Sequence, residues 1–279
     1  MILHYLKIAF RNLCKHKTQN IISIIGLAVG LLCFCVCIYC SRFVESTDHC
    51  FANHDRIAEL NLYDGKADRY FSGSPVPLAE DLRTWSLGET EAISSVTYPR
   101  ERPYYVELSP EKMLPYELET IEIDTCYNKI FTPEMVAGHW KMASQSLNSV
   151  ILSQSMAIKI FGNAESAIGK HMTLMRRLNT SPESTPKTGG IVYTIQAVMK
   201  DIPLNNSLDF MQNIDMLTVN DSEGLLQSSK RHNMTGANTY VLLSPQTTCT
   251  DLEKQFSKRD YTYTCLLYTS PSPRDGATS

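Results

Sequence analysis

Apolar residues dominate one stretch of the chain without interruption. Residues 21–39, IISIIGLAVGLLCFCVCIY, contain no charge. Nineteen helical residues span about 28 Å, close to the hydrocarbon thickness of a bilayer. The pattern predicts a single membrane helix over residues 21–41. A cleaved signal peptide fits less well, because Cys40-Ser41-Arg42 is a poor cleavage site and the apolar run is long for a signal. Upstream, Leu3, Leu6, Phe10, Leu13 and Cys14 share one helical face, and His4, Lys7, Arg11 and Lys15 share the other. Residues 1–20 are therefore expected to form a basic amphipathic helix suited to an anionic membrane surface.

Beyond residue 42 the pattern changes to short runs with polar breaks. Strands are predicted over residues 56–63, 92–98, 104–108, 118–124, 149–153, 191–198 and 238–243. In the sixth, Ile191, Tyr193, Ile195 and Ala197 alternate with Val192, Thr194 and Gln196, as in a half-buried strand. Helices are predicted over 77–85, 153–161 and 250–257. Leu78, Leu82 and Trp85 share a face in the first, and Met156, Ile160 and Phe161 in the second. Asp251 and Glu253 fall in the first turn of the third, where the helix dipole favours acids. Residues 179–190, NTSPESTPKTGG, read as an exposed loop between strands.

Charge sets the topology. Lys7, Arg11, Lys15 and Lys17 precede the span with no acidic residue among them, whereas Arg42, Glu45 and Asp48 follow it. The positive-inside rule places the N-terminus in the cytoplasm and the rest outside the membrane. The whole chain of 279 residues has 26 Lys+Arg against 29 Asp+Glu, a formal charge of −3. That balance argues against a nucleic-acid partner. With 20% charged and 43% hydrophobic residues, the chain has the composition of a globular protein with a packed core.

The search for chemistry is negative. Four of the nine cysteines (Cys33, Cys35, Cys37 and Cys40) lie in or at the end of the span, and the first three alternate, so they cannot share a helical face. Cys50, Cys126, Cys249 and Cys265 are scattered, with no CxxC pair, so zinc and thioredoxin-like readings fail on spacing. One disulfide is conceivable in an oxidising compartment, with its partners open. Gly162 to Lys170 has six residues between its glycines where a phosphate loop has four, and His171 where a Ser or Thr would bind magnesium. Gly73-Ser74-Pro75 reads as a turn and not a nucleophile elbow. His49 and His54 are five apart, which does not place two ligands on one helix face; they read as a solvated juxtamembrane segment. No catalytic, cofactor or metal site is expected, and the chain is expected not to be an enzyme.

Five stretches, in order, do carry a resemblance. They begin with Leu6-Lys7-x-Ala9-x-Arg11-Asn12-Leu13-x-Lys15-x-Lys17 followed by Ile25-Gly26-Leu27-Ala28-Val29-Gly30. Next come Asp48-His49-Cys50-Phe51-Ala52-Asn53-His54-Asp55-Arg56-Ile57, and Leu152-Ser153-Gln154-Ser155-Met156-Ala157 with Ile160-Phe161-Gly162 and Ile168-Gly169-Lys170. Tyr193 to Pro203, ending Lys200-Asp201-Ile202-Pro203, and Asn238-Thr239-Tyr240-Val241-Leu242-Leu243 complete the set. Together, over roughly residues 1–260, they resemble MacB/FtsX-type ABC-transporter permeases, with the Bacteroidetes-like branch nearest. Ala167 and Gln154 depart from that family's usual Pro and Glu.

The resemblance implies an α+β extracytoplasmic domain, with a porter-like α/β lobe plus a second lobe, over residues 42–264 and behind one membrane helix. It implies an inner-membrane permease that hydrolyses no ATP itself. Its partners would be a cytoplasmic ABC ATPase, a second permease copy and lipid, and ATP-driven movement inside would be passed to the outer domain. Lys7, Arg11, Lys15 and Lys17 would meet headgroups or the ATPase. Gly26 and Gly30 form a small-xxx-small pattern that allows close helix packing or reflects plain tolerance of glycine in membranes. Phe161, Gly162, Ile168, Gly169, Lys170, Asp201 and Pro203 would serve structure. Family units carry four membrane helices, and this chain shows one. Residues 265–279 have no apolar periodicity and are similar to translated adapter sequence, so a non-native or disordered tail is expected, with the native frame continuing past about residue 264. The alternative is a single-pass, membrane-anchored extracytoplasmic sensor or binding protein.

Overall fold

A computed structural model of the chain describes residues 15, 17–64, 69–71, 73–75, 78–85, 88–109, 112–146, 148–174, 191–208, 213–219, 235–257 and 264–269. They divide into two units, residues 1–46 and 47–279. The first holds helix α1, Lys17–Glu45, which is long and apolar enough to cross a membrane. It begins earlier and ends later than the apolar run because Lys17, Asn20, Ser41 and Arg42 are all tolerated in a helix. No residue of α1 is buried within the chain. Its last turn closes when Ser46 N–H donates to Arg42 O at 3.0 Å and Ser46 Oγ donates to Phe43 O at 2.9 Å. Arg42 in that turn complements the helix dipole. Of the expected amphipathic helix, Lys15 and Lys17 are helical and exposed, while residues 1–14 lie outside the described residues.

In the second unit the strands are β1 (Ile57–Asp64), β2 (Arg69–Phe71), β3 (Ser74–Pro75), β4 (Thr90–Thr97), β5 (Arg100–Ser109) and β6 (Lys112–Ile123). They continue as β7 (Met135–Gly138), β8 (Ser149–Ser153), β9 (His171–Leu174), β10 (Ile191–Met199), β11 (Met216–Val219), β12 (Thr235–Leu243) and β13 (Thr264–Thr269). The helices are α2 (Leu78–Thr84), α3 (Tyr127–Phe131), α4 (Trp140–Gln145), α5 (Gln154–Phe161) and α6 (Cys249–Ser257). The unit is thus mixed α and β.

All described strands join one sheet, in the order β11-β8-β10-β9-β5-β6-β4-β12-β1-β13. β11 also pairs with β6, so the first six strands of that order close on themselves. Each of those six supplies residues to one apolar cluster that includes Met216, Leu152, Ile195, Met172, Val106 and Leu118, and α5 adds Met156, Ala157 and Ile160. The remaining strands, β4, β12, β1 and β13, form an open wing joined to the ring by the pair Val96 and Ile123.

The wing is buried on both faces. Ala58, Leu60, Ile93 and Val241 pack under α2 and α6 with Leu78, Leu82, Leu252 and Phe256. Ile57, Ala92, Tyr240 and Leu242 face the other way, into a cluster with Tyr127, Ile130 and Phe131 of α3. Fully burying one Leu or Phe contributes about 2 kcal/mol, so each face is a sizeable source of stability.

Several strands extend past their sequence boundaries. The predicted strands begin at Tyr104 and Leu118, past Pro103 and Pro115, yet β5 and β6 carry both prolines, which lack a donor, through a long hairpin in which Pro103 faces Glu117 and Pro115 faces Tyr105. Gly73-Ser74-Pro75, expected as a turn, contributes the two-residue strand β3 against β12, where Ser74 Oγ bonds Thr239 Oγ1 at 2.6 Å. The alternation expected of β10 holds for Tyr193, Ile195 and Ala197, which are buried. Ile191 is 48% exposed at the strand's start, and Val198 and Met199 are buried at its end, where β7 and β8 flank both sides. Thr264–Thr269, which straddles the expected end of the domain, pairs antiparallel with β1. Residues 179–190 and 270–279 lie outside the described residues.

Candidate functional site

Asp201 meets one end of α5, and Phe161 and Gly162 form the other. Ser153 precedes the helix in extended conformation, and its hydroxyl accepts from Met156 N–H at 3.4 Å. Asp201, from the segment after β10, accepts Ser155 N–H at 3.0 Å. Two of the helix's free amide donors are thereby met, one by each motif. At the other end Gly162 takes φ +87°, and its N–H returns to Ile158 O at 2.9 Å. Phe161 and Ile168 lie half-buried against the ring cluster.

Gly169 and Lys170 act through backbone. Gly169 N–H donates to Ile195 O at 2.8 Å, and Ile195 N–H donates to Lys170 O at 2.9 Å. A φ of +77° at Gly169 turns the chain into β9. The Lys170 side chain is exposed. This loop is therefore a structural clasp on β10, and it has no phosphate-loop geometry: it follows α5 where a strand would be required.

Pro203 lies in a second clasp. Its carbonyl accepts from Asn206 Nδ2 at 2.6 Å, and Asn206 Oδ1 accepts Leu208 N–H at 2.9 Å. Asn206 is fully buried. The same segment holds Asp48, three residues past α1. Asp48 N–H donates to Asn205 O at 3.1 Å, and the Asp48 carboxylate accepts Ser207 N–H at 2.7 Å. Asp48 is buried with φ +64°. Burial pushes its carboxyl above the usual carboxylate range, and the Ser207 hydrogen bonds oppose that rise. Residues 201–208 thus tie the N-terminus of α5 to the first residues of the outer unit.

The rings of His49 and His54 lie with centroids 4.4 Å apart, tilted 48° to each other, and His54 Nε2 lies 3.2 Å from Asp55 Oδ1. Among the described residues no group of three or more His, Cys, Asp or Glu is placed to hold a metal ion. A methyl group added at Gly26 or Gly30 would meet nothing within 4 Å in this chain. Lys7 and Arg11 lie outside the described residues.

Sequence reasoning missed the polar keystone of the wing. Asp124, at the end of β6, pairs with Arg83 and accepts Ser94 Oγ at 2.8 Å, Ser95 N–H at 3.0 Å and Cys126 N–H at 2.9 Å. Arg83 also donates to Ile93 O at 3.0 Å and meets Glu80 at 2.9 Å. An Asp directly after an apolar strand, before a helix, was its one visible signal.

No family model matches the chain. No curated protein matches it. Solved structures do. A domain assigned to a permease protein of Porphyromonas gingivalis is similar, with 21% identity, a TM-score of 0.58, and coverage of 81% of this chain and 97% of that one. The periplasmic region of MacB from Actinobacillus actinomycetemcomitans is similar at 12% identity, a TM-score of 0.52, and coverage of 83% and 96%. The fold is that of a MacB-like periplasmic domain, and one apolar helix precedes it.

Proposed function

We propose that this chain is the N-terminal part of an ABC-transporter permease of the MacB/FtsX type. One observation carries the reading: a helix long and apolar enough to span a bilayer runs directly into a domain whose fold is shared with the periplasmic region of MacB. The basic flank of Lys7, Arg11, Lys15 and Lys17 supports a cytoplasmic N-terminus, which leaves the domain outside the inner membrane. In this reading the permease works as a dimer, Gly26 and Gly30 admit a neighbouring helix, and a separate ABC ATPase supplies the energy. The outer domain receives that movement and uses it for export or for mechanical control of a partner. The residues around α5 shape the domain and bind no cofactor.

A photocrosslinker at Lys15 or Lys17, in the protein expressed in its own membrane, tests the proposal. Capture of an ABC ATPase, altered by trapping that ATPase with ATP and vanadate, is the expected result. Capture of lipid alone, with no ATPase in any nucleotide state, would overturn it in favour of an anchored sensor.

A further inference from the structure

The chain that leaves α1 is fastened into the outer unit almost at once. Only Ser46 and Thr47 separate the last residue of α1 from Asp48. Asp48 takes φ +64°, an uncommon backbone conformation for a residue with a side chain. Two hydrogen bonds hold it there: its N–H donates to Asn205 O at 3.1 Å, and its carboxylate accepts Ser207 N–H at 2.7 Å. Three residues on, the buried Phe51 ring meets Phe131 edge-on, with centroids 5.0 Å apart. Asn53 Nδ2 then donates to Lys129 O at 3.2 Å. A flexible linker would need none of these contacts.

Residues 201–208 are built to move as one piece. The Pro203 ring fixes its own φ. The buried Asn206 side chain spans the turn, donating to Pro203 O at 2.6 Å and accepting Leu208 N–H at 2.9 Å. Ile202 and Leu208 enter the same buried cluster as Phe51, Phe131 and Tyr240. Tyr240 OH donates to Ser207 O at 3.2 Å. Ahead of Ile202, Asp201 accepts Ser155 N–H at 3.0 Å, at the start of α5. The segment thus has Asp48 bonded to one part of it and α5 to the other, with few free torsions between.

We infer that residues 201–208 are a coupling strap, which passes a displacement of Asp48 to the N-terminus of α5. Movement carried along the chain from α1 meets Asp48 before the rest of this clasp. Asn205 and Ser207 are bonded to Asp48 on either side of Asn206, so they shift with it. Asn206 ties that shift to Pro203, and Asp201, two residues before, carries it to Ser155. Contiguous hydrogen bonds and packed side chains are the physical means by which two distant sites influence each other. As a relay of ATPase-driven movement the strap rests on the permease reading; the coupling between Asp48 and α5 does not.

Amide hydrogen exchange on the full chain in lipid nanodiscs reads the coupling with no ATPase present, so its failure is distinct from failure of the crosslink that tests the permease reading. Asp48→Ala removes the acceptor and disfavours the left-handed backbone. Protection of the Ser155 amide should then fall by about fivefold or more together with that of Ser207, while the amides of the β5–β6 hairpin keep theirs. Asp48→Asn keeps an oxygen acceptor and tolerates the positive φ, so both amides should stay near wild type. Coupling is reciprocal, so Asp201→Ala should in turn lower the protection of the Asp48 amide. Loss at Ser207 with Ser155 unchanged would overturn the inference. An equal loss throughout the hairpin would also overturn it, because Asp48 would then support the fold as a whole. If Asp48→Ala does not fold, Asp201→Ala decides by the reading at Asp48.

Discussion

Asp201 and Ser155, 46 positions apart in sequence, are joined by a 3.0 Å hydrogen bond from the Ser155 amide to the Asp201 carboxylate. The bond puts a negative charge on the N-terminus of α5, where the helix dipole also favours it. Asp201→Ala should lower the stability of the outer unit by about 1 kcal/mol, and Asp201→Asn by less, because an amide oxygen still accepts. Ser153→Ala should cost a similar amount, and the double variant should cost roughly the sum, since each residue meets a different amide. Denaturant midpoints at unchanged slope measure all three.

The glycines around the ring separate backbone strain from crowding. At Gly162 the φ is +87° and an added methyl meets nothing within 4 Å. Gly162→Ala should cost only the left-handed penalty, about 1–2 kcal/mol. At Gly138 the φ is +72° and the methyl would lie 2.3 Å from Gln196 O and 2.8 Å from Ala197 Cα, both backbone. Gly138→Ala should therefore cost at least twice as much and loosen the pairing of β7 with β10. Comparing the two variants by thermal unfolding checks the ranking.

Much of the ring was legible from apolar runs. β8 reads as five strongly apolar or small residues and is buried throughout, and the α5 motif is capped where its Ser and Gly stand. The wing was less legible. In β1 the Ile-Ala-Glu-Leu-Asn-Leu run suggests one buried face, yet α2 and α6 cover one side and α3 the other, so the face that carries Glu59 is partly covered too. β3, β7, β9 and β11 are too short to show a period, and their places come from partners far along the chain. The prolines in β5 and β6 hid half of the hairpin. The clasp at Asp48 could not be seen, because its partners lie about 160 residues away.

Asp124 should be among the costliest polar residues to remove. It sits 3% exposed, pairs with Arg83 and accepts from two amides and a hydroxyl. Its removal leaves the Ser94 hydroxyl and the Ser95 and Cys126 amides without their acceptor, at about 1–3 kcal/mol for each donor that stays dry, while Arg83 keeps Glu80. Asp124→Ala should reach that range, and Asp124→Asn should fall below it because the amide oxygen still accepts from Ser94 or Ser95. Arg83→Leu in the Asp124→Asn background should then cost less than in the wild type, a coupling that a double-mutant cycle on unfolding midpoints would measure. Additive costs would show that Arg83 and Asp124 act separately.

Asp48, Glu59 and Asp215 all have raised carboxyls, and Glu59 dominates the pH dependence of stability near neutrality. Glu59 is pushed up to about 7 by burial and by Asp48, against an ordinary value of 4.5, and Asp48 is raised as well. A raised carboxyl means the folded state binds the proton more tightly than the unfolded one, so ionisation weakens the fold. For Glu59 the cost is absent below about pH 4.5, grows as pH rises to about 7, and is constant above that. Glu59→Gln should accordingly be more stable than wild type at pH 8, by on the order of 2 kcal/mol, and should converge with it near pH 4.5. Most proteins lose stability as carboxylates protonate, so a gain between pH 7 and pH 5 that vanishes in Glu59→Gln would be distinctive. Unfolding midpoints of both chains at half-unit steps from pH 4.5 to 8.5 check it; parallel curves would mean that Glu59 is as well solvated in the folded chain as in the unfolded one.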